Sequence, residues 1–576
     1  MTMNPVKRLS NITTPEPRAS ARAPHTLFIG CMSLLLTIGA ATARAESVHY
    51  TLTPLIDTGC LHVEVSWDTH TRRQSALIVS PRWGTVDDVP ALIKELRIEG
   101  VTNVKAQGTR WLLDHPPGAT IKCTYKVDPG RRQLSWTTTQ HPVTTRNFFH
   151  GMGAAFLLVP QAGGGLPEEY ETTLRWRLPE GWKAVCSWGQ GSHIGALLSP
   201  ADMRHSVYLA GRITTRTKTI AGLTVTVAVR ERFAFDADEF AQMAATIVAH
   251  ECAFMEEIDF PPYLVTAVPV GEPVKTGDAH LSGMGLYQSF ALFSAPNSKL
   301  TDAFEHLFAH ELFHYWNGRV LKAEKPDKLA YWFVEGFTDY YALRILHERG
   351  FWSHDTYAKW INRHLREYHA NPAIHASNQD IAALYWKERD TVGEVPYQRG
   401  LLLGLRWHRL ARDHGVPDGI DRLFKTLVER GRASGYEISN EKIRRAGIEL
   451  LGDWFGPEFD QFVTDAETVD VPLDALAPDL SGTVGPIYEF ELGFDRKRSL
   501  SNRRIMGLIP DSSAAKAGVH QGDELLGWII PSDASQKVEL QIQRDNRRQT
   551  IRYYPRGQRS YVLQFEAPKP RRDSRP

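Results

Sequence analysis

The segment His310-Glu311-Leu312-Phe313-His314 carries two histidines four residues apart with a glutamate beside the first. On a helix this spacing puts both imidazoles on one face, about one turn from each other. Both can then reach a single zinc ion at ~2.0–2.1 Å. Glu311, one step further round, falls beside the metal rather than on it, where a general base for an attacking water belongs. A metal so placed polarises a carbonyl and brings the pKa of a water to about 7, while the glutamate moves the proton to the leaving amine. The plainer alternative is two satisfied histidines on a partly buried helix. A third ligand would decide between the two.

The metzincin arrangement would need a glycine at 317 and a histidine at 320, where Asn317 and Val320 stand. The next helical stretch, Trp332-Phe333-Val334-Glu335-Gly336-Phe337-Thr338-Asp339-Tyr340-Tyr341, sets an acid among large apolar residues. An unpaired carboxylate there would be costly, and a metal would satisfy Glu335. Asp339, four residues on and on the same face, is placed to orient a ligand histidine; an ordinary surface acid is the alternative. His306 lies four residues before His310, but a third histidine on one straight stripe lies too far along the axis to complete a tetrahedron, so polar packing is its expected role. An oxyanion wants a further donor. Tyr397 opens an apolar helix beyond the second ligand, a position periodicity alone does not assign.

These residues need elements to hold them. Helical periodicity dominates 236–480, with helices expected over 236–258, 301–318, 327–349, 398–414 and 440–451. Asp302 and Glu305 resemble a capping box, and Gly350 is a plausible stop. A strand is expected at 263–270 and a Gly-rich turn at Ser282-Gly283-Met284-Gly285. Residues 46–235 alternate instead, as in His62-Val63-Glu64-Val65-Ser66-Trp67, which predicts a β-sandwich-like domain without catalytic residues. A strand-rich segment spans 486–566, and 567–576 is a polar, proline-broken tail expected to be disordered. The expected fold class is multidomain, with the seams at 235/236 and 485/486.

The 576 residues are 42% hydrophobic and 23% charged, an ordinary globular balance, and a net charge of +1 leaves no electrostatic footprint for nucleic acid. Residues 1–45 read as a secretory signal peptide: Lys7, Arg8, Arg18 and Arg22, an apolar run over 27–41, then Ala43-Arg44-Ala45. The run is short for a bilayer span, which takes about 20 residues. Too little apolar sequence precedes Cys31 for a lipoprotein site. Removing the leader, which carries five basic residues and one acid, takes the net charge from +1 to −3. The expected location is the periplasm or outside the cell, with no stable membrane span in the mature chain. Cys60, Cys123, Cys186 and Cys252 remain, far apart and without a C-x-x-C pair; three disulfide pairings or free buried thiols are open.

The stretches HELFHYWNG and YWFVEGFTDYYA resemble the glycyl aminopeptidase family of gluzincin zinc peptidases. The resemblance implies a β-rich N-terminal domain, a mainly helical thermolysin-like catalytic domain and a C-terminal PDZ-like β domain. It implies one Zn2+ per chain held by His310, His314 and Glu335, with Glu311 as catalytic acid/base. The related aminopeptidase N group has a tyrosine in a Tyr-x-Lys-Gly context after its glutamate ligand. Tyr397-Gln398-Arg399-Gly400 is similar, which implies an oxyanion role for Tyr397. A departure lies at Gly285-Leu286-Tyr287-Gln288, the counterpart of the family's Gly-Leu-Glu-His substrate segment: Tyr287 and Gln288 carry no charge for a free amine, leaving Asp278 or Glu272 as substitutes.

The C-terminal segment, with Ser512-Ser513-Ala514-Ala515-Lys516-Ala517-Gly518 and Gln521-Gly522-Asp523, looks like a bacterial PDZ domain. Leu492-Gly493-Phe494 resembles its carboxylate-holding loop, which implies a peptide C-terminus as partner. The expected function is peptide-bond hydrolysis, as an aminopeptidase favouring N-terminal Gly or Ala. The alternatives are an endo-acting zinc peptidase, a hydrolase of non-peptide substrates, and a PDZ-containing peptide binder that does not hydrolyse.

Overall fold

The computed structural model describes residues 46–568, apart from 131–132, 163–168, 231–232, 274–280 and 532–533. The expected leader and residues 569–576 of the expected tail lie outside the described residues. Among the described residues no helix is long and apolar enough to cross a membrane.

Alternation builds the N-terminal region as expected. Val48, Tyr50 and Leu52 of strand Glu46–Leu55 point inward, and Val63, Val65 and Trp67 of Cys60–Asp68 meet them from the neighbouring strand. Six strands form one sheet, with Glu46–Leu55 also pairing in parallel with Tyr170–Trp176. A four-stranded sheet and a five-stranded sheet complete the region. Cys60, Cys123, Cys186 and Cys252, the four cysteines among the described residues, are buried and free. Burial pushes the Cys123 and Cys186 thiols up to about 12, so they stay protonated and inert.

The next sheet positions the site. Its order is Ile213–Ile220, Leu223–Arg230, Tyr263–Pro269, Ser289–Ser294, Leu281–Leu286, with the three inner strands parallel. Parallel neighbours need a crossover, and helix Ala237–Met255, capped by Asp236, supplies it between the second and third strands. Strands Tyr263–Pro269 and Ser289–Ser294 are buried at every residue because both faces are covered. Val265, Ala267, Phe290 and Leu292 pack under the helices, while Leu264, Val268, Ala291 and Phe293 pack on Val207 and Leu209 of the N-terminal region.

The structure departs from the sequence expectations at the domain seams and around the histidine helix. The seam drawn at 235/236 is crossed by hydrogen bonds, since strands within 213–230 belong to the sheet beneath the helices. Residues 282–285 are edge strand rather than turn; their glycines serve close packing, as an added Cβ on Gly283 would sit 2.2 Å from the Phe290 ring. The expected helix 301–318 ends at Phe313. No capping box forms at its start: Glu305 accepts from Trp352 Nε1 and Asp302 accepts from Trp360 Nε1.

The seam at 485/486 falls inside strand Ser481–Phe490, which pairs with Arg556–Glu566 as a two-stranded ribbon. This ribbon lies on helix His354–Ala370: Asn362 exchanges two bonds of 2.7 Å with the Phe565 backbone. Its Ile487, Val562 and Phe565 share the core of the helical region. Beyond it, strands Glu524–Ile529, Val538–Arg544 and Arg547–Tyr553 and two short helices enclose a separate core.

Candidate metal centre

Helix Asp302–Phe313 carries His310 and Glu311, and His314 stands at its C-cap. The chain then tightens. Tyr315 and Trp316 donate to carbonyls three residues back, and Gly318, at φ +142°, turns the chain away. The fully buried Asn317 amide thereby reaches the second ligand helix, donating to the carbonyls of Phe333 (2.9 Å) and Val334 (3.0 Å) and to Thr338 Oγ1 (3.1 Å). Glu335 lies where segments Tyr331–Val334 and Gly336–Glu348 meet. Its N–H donates to Tyr331 and its carbonyl accepts from Asp339, so the helical turn carries through.

Three ligand atoms converge. His310 Nε2 and His314 Nε2 are 3.0 Å apart. Glu335 Oε2 lies 3.5 Å from the first and 3.3 Å from the second. The edges of a tetrahedron around zinc at ~2.0–2.1 Å are roughly 3.3–3.4 Å, so these residues fit the ion. Proton placement points the same way. His310 Nδ1 faces Asp339 Oδ1 at 2.7 Å and His314 Nδ1 faces the Asn317 carbonyl at 2.9 Å. Both acceptors call for a proton on Nδ1, which leaves a lone pair on each Nε2. Two lone pairs and a carboxylate oxygen facing one another at the edge of the cleft call for a cation among them.

The carboxylates draw positive charge to the same place. Burial works against ionisation of Glu335, but positive charge on His314 and His310, the charge a bound ion would otherwise supply, outweighs it and holds the carboxyl far below the usual range. Asp339 is buried too, and His310 and His306 likewise keep it ionised. His306 Nε2 bonds Asp339 Oδ1 at 2.8 Å, so it braces the orienting carboxylate.

Glu311 faces a cleft of about 710 Å3 between the N-terminal region, the edge strand and the two ligand helices. Gly285 N–H donates to Glu311 Oε2 at 2.7 Å. Tyr287 lines the cleft under the Arg319 guanidinium (4.4 Å), which pairs with Asp202 Oδ1 at 2.8 Å. Gln288, at φ +44°, donates to the Tyr287 hydroxyl rather than lining the cleft. Glu272 is exposed and away from the cleft lining, and Asp278 lies outside the described residues.

Tyr397 sits in the first turn of helix Val395–Asp413, its ring stacked 5.9 Å from that of His310, its hydroxyl bonded to Tyr385. Burial pushes that hydroxyl's pKa well up, so it stays a donor. Its helix is seated by glycines: a Cβ on Gly400 would stand 1.7 Å from the Trp332 carbonyl, and one on Gly336 2.4 Å from Gly400 Cα. Leu492, Gly493 and Phe494 lie apart from the centre, in the C-terminal core, where the Leu492 carbonyl accepts from the Tyr553 hydroxyl at 2.6 Å.

Sequence reasoning met Asn317 only as part of a motif and did not reach Arg319 or Asp202. Nothing in spacing marks Asp202, which arrives from a short helix, Pro200–Arg204, of the N-terminal region.

Residues 303–396 match the model of the M61 glycyl aminopeptidase family. No curated protein matches the chain. Among solved structures, an aminopeptidase N family protein from Idiomarina loihiensis superposes with a TM-score of 0.63 at 18% identity, covering 90% of this chain and 98% of that one. That likeness shows a shared fold. An M1 zinc metallopeptidase from Deinococcus radiodurans gives 0.48 at 14% identity, over 74% of this chain and 97% of that one.

Proposed function

We propose that this zinc metallopeptidase is an aminopeptidase-type enzyme that hydrolyses peptides beginning with small residues, glycine or alanine. The observation that carries the reading is the pair of Nε2 atoms 3.0 Å apart, closed by Glu335 and opening on the cleft that Glu311 faces.

His310, His314 and Glu335 would hold the zinc, which supplies Lewis-acid polarisation of the scissile carbonyl and a more acidic water. Glu311, steadied by Gly285 N–H, takes the proton of the attacking water and gives it to the leaving amine. Tyr397 donates a hydrogen bond from its hydroxyl to the oxyanion as it develops, exchanging its present bond to Tyr385 for one to substrate. Asp339 keeps the His310 ring oriented.

The substrate's ammonium finds no carboxylate at Tyr287, whose ring is engaged by Arg319. Asp202, which also lines the cleft, is already paired with Arg319, so the amine is held loosely. The core built on 492–553 is a PDZ-like module whose Leu492-Gly493-Phe494 loop takes a peptide carboxylate, and export follows from the leader.

The test compares kcat/KM for a short Gly- or Ala-starting peptide with its N-acetylated form. We expect cleavage of the free peptide and a modest penalty for blocking. A thousandfold penalty, about 4 kcal/mol, would show an acid anchoring the amine. Equal rates would mark an endo-acting enzyme. Absence of hydrolysis in a zinc-replete chain would leave a peptide binder.

A further inference from the structure

A second set of metal-ligating side chains lies away from the centre described above. His347 stands in the last turn of helix Gly336–Glu348, His354 opens helix His354–Ala370, and Asp479 belongs to the connector before strand Ser481–Phe490. One ligand atom from each lies within 4.8 Å of the others. His347 Nε2 is 3.2 Å from Asp479 Oδ2, and the two imidazole rings are 5.0 Å apart.

The surroundings of His347 point to a cation. Its Nδ1 faces the Trp352 carbonyl at 3.4 Å, which favours the proton on that nitrogen and a lone pair on Nε2. In that tautomer Nε2 faces a carboxylate oxygen at 3.2 Å, an arrangement that a metal ion between them satisfies. The ring is buried and its plane is fixed by Tyr357, stacked at 4.5 Å and 10°. A helix C-terminus favours positive charge. An orienting carbonyl behind a ligand imidazole is the usual support in metal sites. Asp479 is half-exposed and His354 exposed, so an ion can enter from solvent and keep water in its remaining positions.

We propose that His347, His354 and Asp479 form a second divalent-metal site that joins the end of the Asp339-bearing helix, the start of the next helix and the connector into the C-terminal ribbon. Two imidazoles and a carboxylate suit zinc and its transition-metal neighbours. Ligand atoms around zinc stand roughly 3.3–3.4 Å apart, so binding draws the exposed His354 ring inward. The role is structural: the ion ties three separate segments together and does not touch substrate.

The rival is a plain ion pair between protonated His347 and Asp479, which would take up no metal. The full chain is stripped with chelator, reloaded with zinc, desalted, and its metal content measured by mass spectrometry. We expect two equivalents in the unmodified chain and one in each of His354→Asn and Asp479→Asn, both surface changes that leave the core intact. His310→Asn should also hold one equivalent, and combining it with Asp479→Asn should leave none. Zinc should raise the Tm of His310→Asn and leave that of the double variant unmoved. A single equivalent in the unmodified chain, or two equivalents surviving in both surface variants, would overturn the site. Neither result depends on turnover, so the peptidase reading stands or falls separately.

Discussion

The backbone N–H of Gly285 donates to Oε2 of Glu311 at 2.7 Å, across from the edge strand to the histidine helix. The carboxylate that must work as a base is thus held by a strand rather than by another side chain. Glycine eases the approach: an added Cβ would stand 3.1 Å from both Glu311 Oε2 and the Glu311 carbonyl, so the carboxylate would have to give by a few tenths of an ångström. Gly285→Ala should therefore keep its zinc and lower kcat by about 10- to 100-fold, the order expected when a catalytic group is displaced by a fraction of an ångström to an ångström. Unchanged kcat would mean that the seat of Glu311 does not limit the reaction.

Asn317 links both ligand helices. Its carbonyl orients His314 and its amide spans the carbonyls of Phe333 and Val334 just before Glu335. Asn317→Ala removes the amide that bridges these buried acceptors, at about 1–3 kcal/mol, although the Val334 carbonyl keeps its bond from Thr338 Oγ1, and it loosens the backbone behind His314. We expect a lower Tm and a zinc affinity weaker by roughly 10- to 100-fold, the usual cost of losing support behind a ligand. Wild-type zinc affinity measured by competition with a chelator would remove Asn317 from this role.

The C-terminal ribbon and the core beyond it should separate. Glu491 N–H bonds the Pro555 carbonyl at 2.9 Å, so the ribbon strands are adjacent where the module leaves and returns. Replacing 492–554 by a short turn should preserve zinc content and peptide turnover. Truncation from 486 onward should instead strip Ile487, Val562 and Phe565 from the helical core, at about 1.5–3 kcal/mol each, and lower the Tm sharply. Loss of zinc from the excised form would show that the module supports the centre.

Much of the centre was legible because helical spacing transmits it. The interval from His310 to His314 and the apolar setting of Glu335 need no knowledge of tertiary structure, and Asp339 follows from its place one turn beyond Glu335. What spacing hides is how separate elements meet. Gly283 and Gly285 read as a turn, yet they lie in an edge strand because Phe290 and Glu311 press against it. Strands 213–230 alternate like their N-terminal neighbours, and only their pairing with Tyr263–Pro269 assigns them to the sheet under the helices. Glu305 looked like a capping residue until Trp352, 47 positions away, offered it a better donor. Asp202 and Arg319 reach the cleft from opposite sides of it, a meeting that no local pattern records.

The central claim is that Glu311 is the base of a zinc centre it does not ligate. Its most direct test is peptide turnover by Glu311→Gln alongside zinc content. Glutamine preserves shape and leaves His310, His314 and Glu335 untouched. The account predicts a full equivalent of zinc at this centre and a kcat lower by about 10²–10⁴, the range that general base catalysis contributes. A zinc-loaded Glu311→Gln protein that turns over peptide at the wild-type rate would contradict it.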